Sequence, residues 1–210
     1  MQLAYKIALS NLWKKPKKTF RIINEYELYR YQIQLFVLAG ITKVISRQFI
    51  NLADARHELF LTLASSIAAG ALLGWFGLLI VTGLIYITGK WIKGQASSTE
   101  IMNMVSYAVL PFCLSLIFTL LCVLIIRVLG FQDGSYDYIR NWDNIYYAII
   151  KVHYYFDWLI TAWYFVLLVI GISAVQGFSI WKSIMNFLIC IAVIAVPVVL
   201  IILYIGIIHD

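Results

Sequence analysis

The chain has 210 residues, of which 63% are hydrophobic and only 12% are charged, and its formal net charge is +6. Soluble domains carry about 25% charged residues, so this composition excludes an ordinary soluble globular fold. Four charge-free segments exceed the roughly 20 apolar residues that a membrane-spanning helix needs; they are 59–89, 101–126, 158–181 and 183–209. The composition therefore predicts an all-α, polytopic integral membrane protein without a soluble domain.

Residues 1–30 form a basic segment that opens the chain, with the lysine-rich stretch WKKPKK at 13–18. Residues 1–13 lack the continuous apolar core and the small-residue cleavage site of a signal peptide. A nucleic-acid arm is not predicted, because nothing beside the cluster could read bases. We expect an amphipathic segment on the cytoplasmic side, whose cations hold anionic lipid headgroups at about 1 kcal/mol each.

The first predicted span is 31–50, and it is the weakest. Lys43 and Arg47 are four residues apart, so they share one helix face. A charge in the hydrocarbon costs several kcal/mol, but a long side chain near a helix end can reach the headgroups. We expect a span whose outer end carries both cations. The alternative is an amphipathic helix that lies in the interface.

The second predicted span, 60–88, is longer than a hydrocarbon core of about 30 Å requires, so it should tilt, kink or project. Gly70, Gly74 and Gly77 mark the positions where a kink or a close helix contact costs least. The Gly70–Gly74 spacing is a pattern of small residues that lets two backbones approach. Ordinary packing is favoured over a functional role for these glycines.

The third predicted span is 102–126. Ser97 and Glu100 precede it at the spacing of a capping box. Pro111 lies within the span and should bend it.

The remaining elements are an interfacial helix over 142–156 and two more spans. The stretch 131–156 is rich in tyrosine and tryptophan, which collect at the headgroup level. The fourth span is predicted at 157–175 and the fifth at 182–207, with Ser179 as the N-cap of the fifth. The chain thus divides into the basic segment and one five-helix transmembrane domain over 31–210.

Most of the cations fall on one side of a five-span arrangement. The positive-inside rule therefore predicts a cytoplasmic N-terminus and an external C-terminus. The ten cations assigned to the cytoplasmic side are Lys6, Lys14, Lys15, Lys17, Lys18, Arg21, Arg30, Lys90, Lys93 and Lys182.

Catalytic and metal-binding patterns are sparse. Five residues could bind a divalent cation at the outer surface, and these are Asp54, His57, Glu58, His153 and Asp157. The alternative, solvated polar residues at a membrane boundary, is favoured, and neither HExxH nor GxSxG occurs. Beyond the first span no charged residue is expected between the ends of a span, which argues against a proton-coupled pump. We predict no enzyme, no metal and no cofactor.

Three motifs resemble the Yip-domain family, the Ypt/Rab-interacting proteins, and in particular its bacterial branch. They are WKKPKKTFRIIN at 13–24, GKWIKGQASSTEI at 89–101 and VQGFSIWKSIMN at 175–186. The resemblance implies a five-span helical domain with a cytoplasmic N-terminus, in a bacterial inner membrane. Eukaryotic members take part in vesicle traffic and contact Rab-type GTPases. The family implies no catalytic residues.

We expect a scaffold or membrane-organising protein that binds an unidentified protein or anionic lipid headgroups at its cytoplasmic face. The residues assigned to this face are Lys17, Arg21, Lys90, Lys93, Gln95 and Gln176. Cations and amides on one surface suit an acidic partner, although both glutamines could simply cap helix ends. Self-association is left open. The alternative function is a small transporter or channel subunit, but polar residues within the spans are few.

Overall fold

A computed structural model of the protein describes residues 11–26, 31–53, 58–128 and 142–209. These ranges contain helices and no strand, which agrees with the predicted all-α class. In chain order the helices are α1 (Pro16–Glu25), α2 (Gln32–Arg47), α3 (Phe49–Ala53), α4 (Leu59–Trp91), α5 (Ser98–Ala108), α6 (Pro111–Val128), α7 (Trp142–Gln176) and α8 (Ile180–His209).

Four helical segments are long and apolar enough to cross a membrane: Leu59–Trp91, Ser98–Val128, Ile145–Gln176 and Ile180–Ile202. The expected count of about five spans is not confirmed. The difference lies in α2, which has 16 residues and includes Lys43 and Arg47.

The chain forms two compact units that share its long helices. The first, called the α1 unit, comprises 1–29, 79–105 and 167–210. The second, called the α2 unit, comprises 30–78 and 106–166. Each unit is described by itself below.

In the α1 unit, α1 is an amphipathic helix held by its apolar face. Pro16 occupies its first turn, where a missing N–H costs nothing. Phe20 and Ile23 are fully buried, whereas Lys17, Lys18 and Arg21 are exposed. The predicted basic segment is therefore, in its described part, a helix packed on the domain with its cations facing outward.

In the α2 unit, a glycine contact joins α2 to α4. A methyl group added at Gly40 would overlap the backbone of Gly70 and lie 2.5 Å from the Cα of Gly74. A methyl at Gly74 would lie 2.7 Å from the carbonyl oxygen of Phe36. The pair Gly70–Gly74 therefore marks a close helix contact and not a kink, because α4 continues without a break through both glycines.

The third predicted span is interrupted at Pro111, the residue at which the sequence predicted a bend. α5 ends at Ala108 and α6 begins at Pro111, so the proline occupies the first position of a new helix. The predicted capping box is present, since Glu100 accepts from the Ser97 backbone N–H at 2.7 Å and donates its own N–H to the Ser97 hydroxyl at 3.2 Å.

The predicted boundary between an interfacial helix over 142–156 and a span over 157–175 is wrong. α7 runs as one helix from Trp142 to Gln176. No glycine or proline occurs between Trp142 and Ile170 to end it. The part of the aromatic stretch before residue 142 lies outside the described residues.

α8 matches the fifth predicted span and extends it at both ends. Ser179 caps it, because its hydroxyl accepts the N–H of Lys182 at 3.4 Å. The helix passes through Pro197 without ending. From Ile191 to Ile202 every side chain is exposed on the chain's own surface. A helix that is apolar on all sides requires an apolar surrounding such as lipid.

Candidate functional site

Five of the six residues assigned to the cytoplasmic partner face are exposed, and all six belong to the α1 unit. The exposed ones are Lys17, Arg21, Lys90, Lys93 and Gln95. Among the described residues none of these cations forms an ion pair with a carboxylate. Gln176 differs, because only 2% of its surface is accessible. A surface partner does not reach Gln176 in this structure.

The Gln176 amide lies between two glycines at the end of α4. A methyl group added at Gly89 or at Gly94 would overlap it. The turn that ends α4 brings Gly94 next to the Gln176 amide. In this turn the Gly94 N–H donates to the Gly89 carbonyl at 2.7 Å. Lys93 adopts the left-handed conformation, with φ of 64°, that such a helix end requires. The motif GKWIKG therefore builds a slot for one buried amide.

A second buried amide, Asn186 of α8, lies next to this slot. Its Oδ1 accepts from the Thr88 hydroxyl at 2.5 Å, and Thr88 also lies 3.0 Å from the Cys190 sulfur. Gln176 Oε1 and Asn186 Nδ2 are buried and have no hydrogen-bond partner among the described residues. The cluster consists of neutral groups that join α4, α7 and α8, so we assign it to packing.

We predict that Gly89→Ala lowers the free energy of unfolding by about 1–3 kcal/mol, the usual cost of overpacking. The added methyl would displace the Gln176 amide from its slot. In a Gln176→Ala background the same substitution should cost much less, because the obstacle is gone. Thermal unfolding of the four variants in detergent measures this coupling.

The matched control is Gly83→Ala in the same helix, where an added methyl meets nothing within 4 Å. It should be neutral or stabilising, since alanine favours helix over glycine. Equal costs for Gly89→Ala with and without Gln176 would contradict the slot.

In the α2 unit, Lys43 of α2 forms an ion pair with Asp157 of α7. Lys43 Nζ lies 3.2 and 3.1 Å from the two carboxylate oxygens and donates to the Thr161 hydroxyl at 2.9 Å. The ammonium also lies 4.5 Å from the centre of the Phe112 ring, within range of a cation–π contact. Ser115 of α6 donates to Asp157 Oδ1 at 3.1 Å. Three helices thus meet at one carboxylate.

The ion pair lies along the apolar part of α6. Ser115 is twelve residues, about 18 Å, before Arg127, the first charged residue on its C-terminal side. Its neighbours Leu114 and Ile117 are exposed, at 47% and 58% of their surfaces, as lipid-facing side chains of a spanning helix are. The helical segment Ile145–Gln176, which is long and apolar enough to cross a membrane, includes Lys151, His153 and Asp157 in its first half. The expectation that the later spans carry no charge between their ends stays a prediction.

His153 lies one helical turn from Asp157 and contacts two other helices. Its Nε2 is 3.0 Å from the Thr119 hydroxyl of α6. Its ring stacks on Phe49 of α3, with centroids 3.9 Å apart. His153 is 6% exposed. It is therefore a packed side chain and not a solvated boundary residue.

The hypothetical outer metal site cannot be assembled from the described residues. Asp54 and His57 lie outside them, and Glu58 is exposed at the start of α4. In the described ranges no three histidine, cysteine, aspartate or glutamate side chains come together as metal ligands do. Cys113, Cys122 and Cys190 are free thiols within helices.

Sequence reasoning missed the Lys43–Asp157 pair. The sequence places Lys43 at the outer end of a span and Asp157 at a membrane boundary, and it predicts no contact between them. A signal was present, because a lysine in one weak span and an aspartate in another can neutralise each other. Without a helix register, however, no pairing follows from sequence.

Comparison with protein-family models found a match to the Yip1 domain over residues 11–203. No curated protein and no solved structure matched the chain significantly. The match covers nearly the whole chain, from before α1 into the last part of α8, and includes all three motifs quoted above. Together with the four apolar helices, it shows that the chain is an integral membrane protein of the Yip1-domain family.

Proposed function

We propose that this protein is a non-enzymatic membrane-organising protein of the cytoplasmic membrane, which binds anionic headgroups through the basic face of α1. The observation that carries this proposal is the arrangement of α1. Its apolar residues are buried in the α1 unit, and its lysines and arginine face outward without carboxylate partners among the described residues. Unpaired cations on a fixed helix suit an anionic surface.

We further propose that α2 and α3 form a fifth membrane-inserted element, with the N-terminus inside and the C-terminus outside. From Gln32 to Ala53 the two helices and the intervening Gln48 comprise 22 residues, and backbone hydrogen bonds continue across Gln48. At about 1.5 Å per residue this length is close to the hydrocarbon thickness of about 30 Å.

The contacts of α2 and α3 support insertion. The two helices run along α6. Near the start of α6, Lys43 and Ser115 both contact Asp157. Near its end, the Arg127 Nε donates to the Leu52 carbonyl at 2.6 Å. A helix lying flat in the interface would touch only the ends of spanning helices.

We predict that reporter fusions at residues 2 and 210 will report opposite sides of the membrane. Five crossings place the termini on opposite sides, whereas four crossings place them together. A fusion after residue 53, which should report the outside, completes the test. Termini on the same side would contradict insertion of α2 and α3 and would make them an interfacial element.

We predict that changing Lys14, Lys15, Lys17 and Lys18 together to glutamine lowers affinity for anionic vesicles. At about 1 kcal/mol per cation, the four substitutions should lower the affinity about a thousandfold. Protein in zwitterionic nanodiscs, mixed with phosphatidylglycerol vesicles, measures it by co-flotation.

The matched control replaces the same four lysines with arginine, which keeps the charge and should keep the binding. Vesicle binding that is unchanged in the glutamine variant would refute the lipid-binding proposal and leave an acidic protein as the partner of this face.

A small transporter or channel subunit is the second candidate. One specific observation favours it, the Lys43–Asp157 ion pair among spanning helices, because charged side chains within spans often mark ion pathways. Ion flux into proteoliposomes tests this candidate. A flux that is lost in Asp157→Asn would support transport, and the absence of any flux would leave the pair with a purely structural role.

A further inference from the structure

The polar side chains around Asp157 form a row in the α2 unit. His153, Asp157 and Thr161 are four residues apart on α7, so they lie on one face of that helix. Ser115 and Thr119 face them from α6 with the same spacing. From His153 to Thr161 the row covers eight residue-to-residue steps of α7, about 12 Å.

The contacts with α6 show how the row is oriented along that helix. Ser115 meets Asp157, whereas Thr119, one turn further along α6, meets His153. His153 is therefore nearer to the end of α6 that carries Arg127, and Asp157 is farther from that end. The Thr119 hydroxyl donates to the Ser115 carbonyl at 2.8 Å. Because a hydroxyl has one proton, Thr119 accepts from His153 Nε2, and Nδ1 is then the nitrogen that can take a proton.

The titratable and charged groups that face Asp157 come from two of the described helices packed around it. Lys43 faces it from α2, and His153 lies beside it on α7. α6 contributes the hydroxyls of Ser115 and Thr119 and the ring of Phe112, and Tyr164 packs against that ring at a centroid distance of 5.1 Å. The carboxylate thus has one cationic partner and one histidine next to it.

We propose that Asp157 is a membrane-embedded proton-binding site, which a proton reaches through His153 from the Arg127 end of α6. His153 takes a proton from water at Nδ1 and passes it to an Asp157 carboxylate oxygen. An O–H bond forms on Asp157, the N–H bond on His153 breaks, and the imidazole returns to its neutral form. Lys43 keeps its proton throughout, so the net charge of the Lys43–Asp157 pair changes from zero to +1.

This change weakens the contact between α2 and α7. An uncompensated ammonium in apolar surroundings is unfavourable, so Lys43 leaves the neutral carboxyl. Proton binding at Asp157 and the packing of α2 against α7 are therefore linked. The protonated form of Asp157 favours the state in which α2 is released from α7.

Infrared difference spectroscopy of the full-length protein in lipid nanodiscs tests the proposal. Acidification from about pH 8 to about pH 5, the range that brackets histidine titration, should produce the C=O stretching band of a protonated carboxyl group. The band should be absent in Asp157→Asn and present in Glu25→Gln, a control at an exposed carboxylate of α1. His153→Gln should delay its appearance after a pH jump without changing its final amplitude.

A second variant keeps the test decisive if Asp157→Asn does not fold. In Lys43→Met the carboxylate loses its counter-charge, so the band should be present across the whole pH range. Absence of the band in both the wild type and Lys43→Met, or an unchanged band in Asp157→Asn, would overturn the proposal and leave a permanent ion pair.

Discussion

Gly40→Ala is expected to separate α2 from α4 and to lower the free energy of unfolding by about 3 kcal/mol, the upper end of the usual range for overpacking. The new methyl group would overlap the backbone of Gly70 and crowd Gly74, whose nitrogen would be 2.6 Å away. A backbone cannot step aside as a side chain can, so the helices must move apart. Thermal unfolding in detergent or nanodiscs measures the loss.

The same helices offer matched controls for this contact. Gly70→Ala should be as damaging as Gly40→Ala, because its methyl would overlap the backbone of Ile41. Gly77→Ala should be tolerated, since its methyl would meet only a Phe36 ring carbon at the ordinary contact distance of 3.5 Å. Comparable stability of the Gly40 and Gly77 variants would refute the close approach of α2 and α4.

Lys43→Met is expected to destabilise the protein by about 3 kcal/mol, because Asp157 loses its counter-charge and must either stay charged among apolar helices or take up a proton, and both cost free energy. The two side chains are 31% and 25% exposed on the protein surface, so we take the lower end of the usual range for a buried pair. Asp157→Leu should cost a similar amount by leaving Lys43 unpaired. Chemical or thermal unfolding of each single variant gives these values.

The double variant Lys43→Met with Asp157→Leu tests whether the two side chains interact. Removing both charges together avoids an unpaired ion, so its stability should be close to that of the wild type. A double variant as unstable as the sum of the two single variants would show that the residues do not interact. The comparison tests the ion pair whether or not Asp157 binds a proton.

The sequence by itself determined the membrane class, the helical fold and most helix ends. Long charge-free segments leave few alternatives, since an isolated strand in lipid would have unsatisfied backbone groups. The signals at these helix ends involve contacts within a single helical turn, and they are the Ser97–Glu100 capping box, Pro111 and Ser179. Such local interactions are visible in the sequence, and the structure has them where they were predicted.

The continuity of α7 shows where sequence patterns mislead. The change from aromatic and polar residues to apolar ones near Asp157 suggested a boundary between two elements. Composition describes the environment of a helix and does not end it. Helices commonly end at a glycine or a proline, and neither occurs there.

Only the tertiary structure decided which residues meet. Gln176 looked like a surface amide, yet Gly89 and Gly94 bury it, because the end of α4 brings both glycines to its side chain. Lys43 and Asp157 are 114 residues apart in sequence and pair only because α2 packs beside α6 and α7. Such contacts depend on the rotation and register of whole helices, which many distant side chains set together, and no local pattern encodes them.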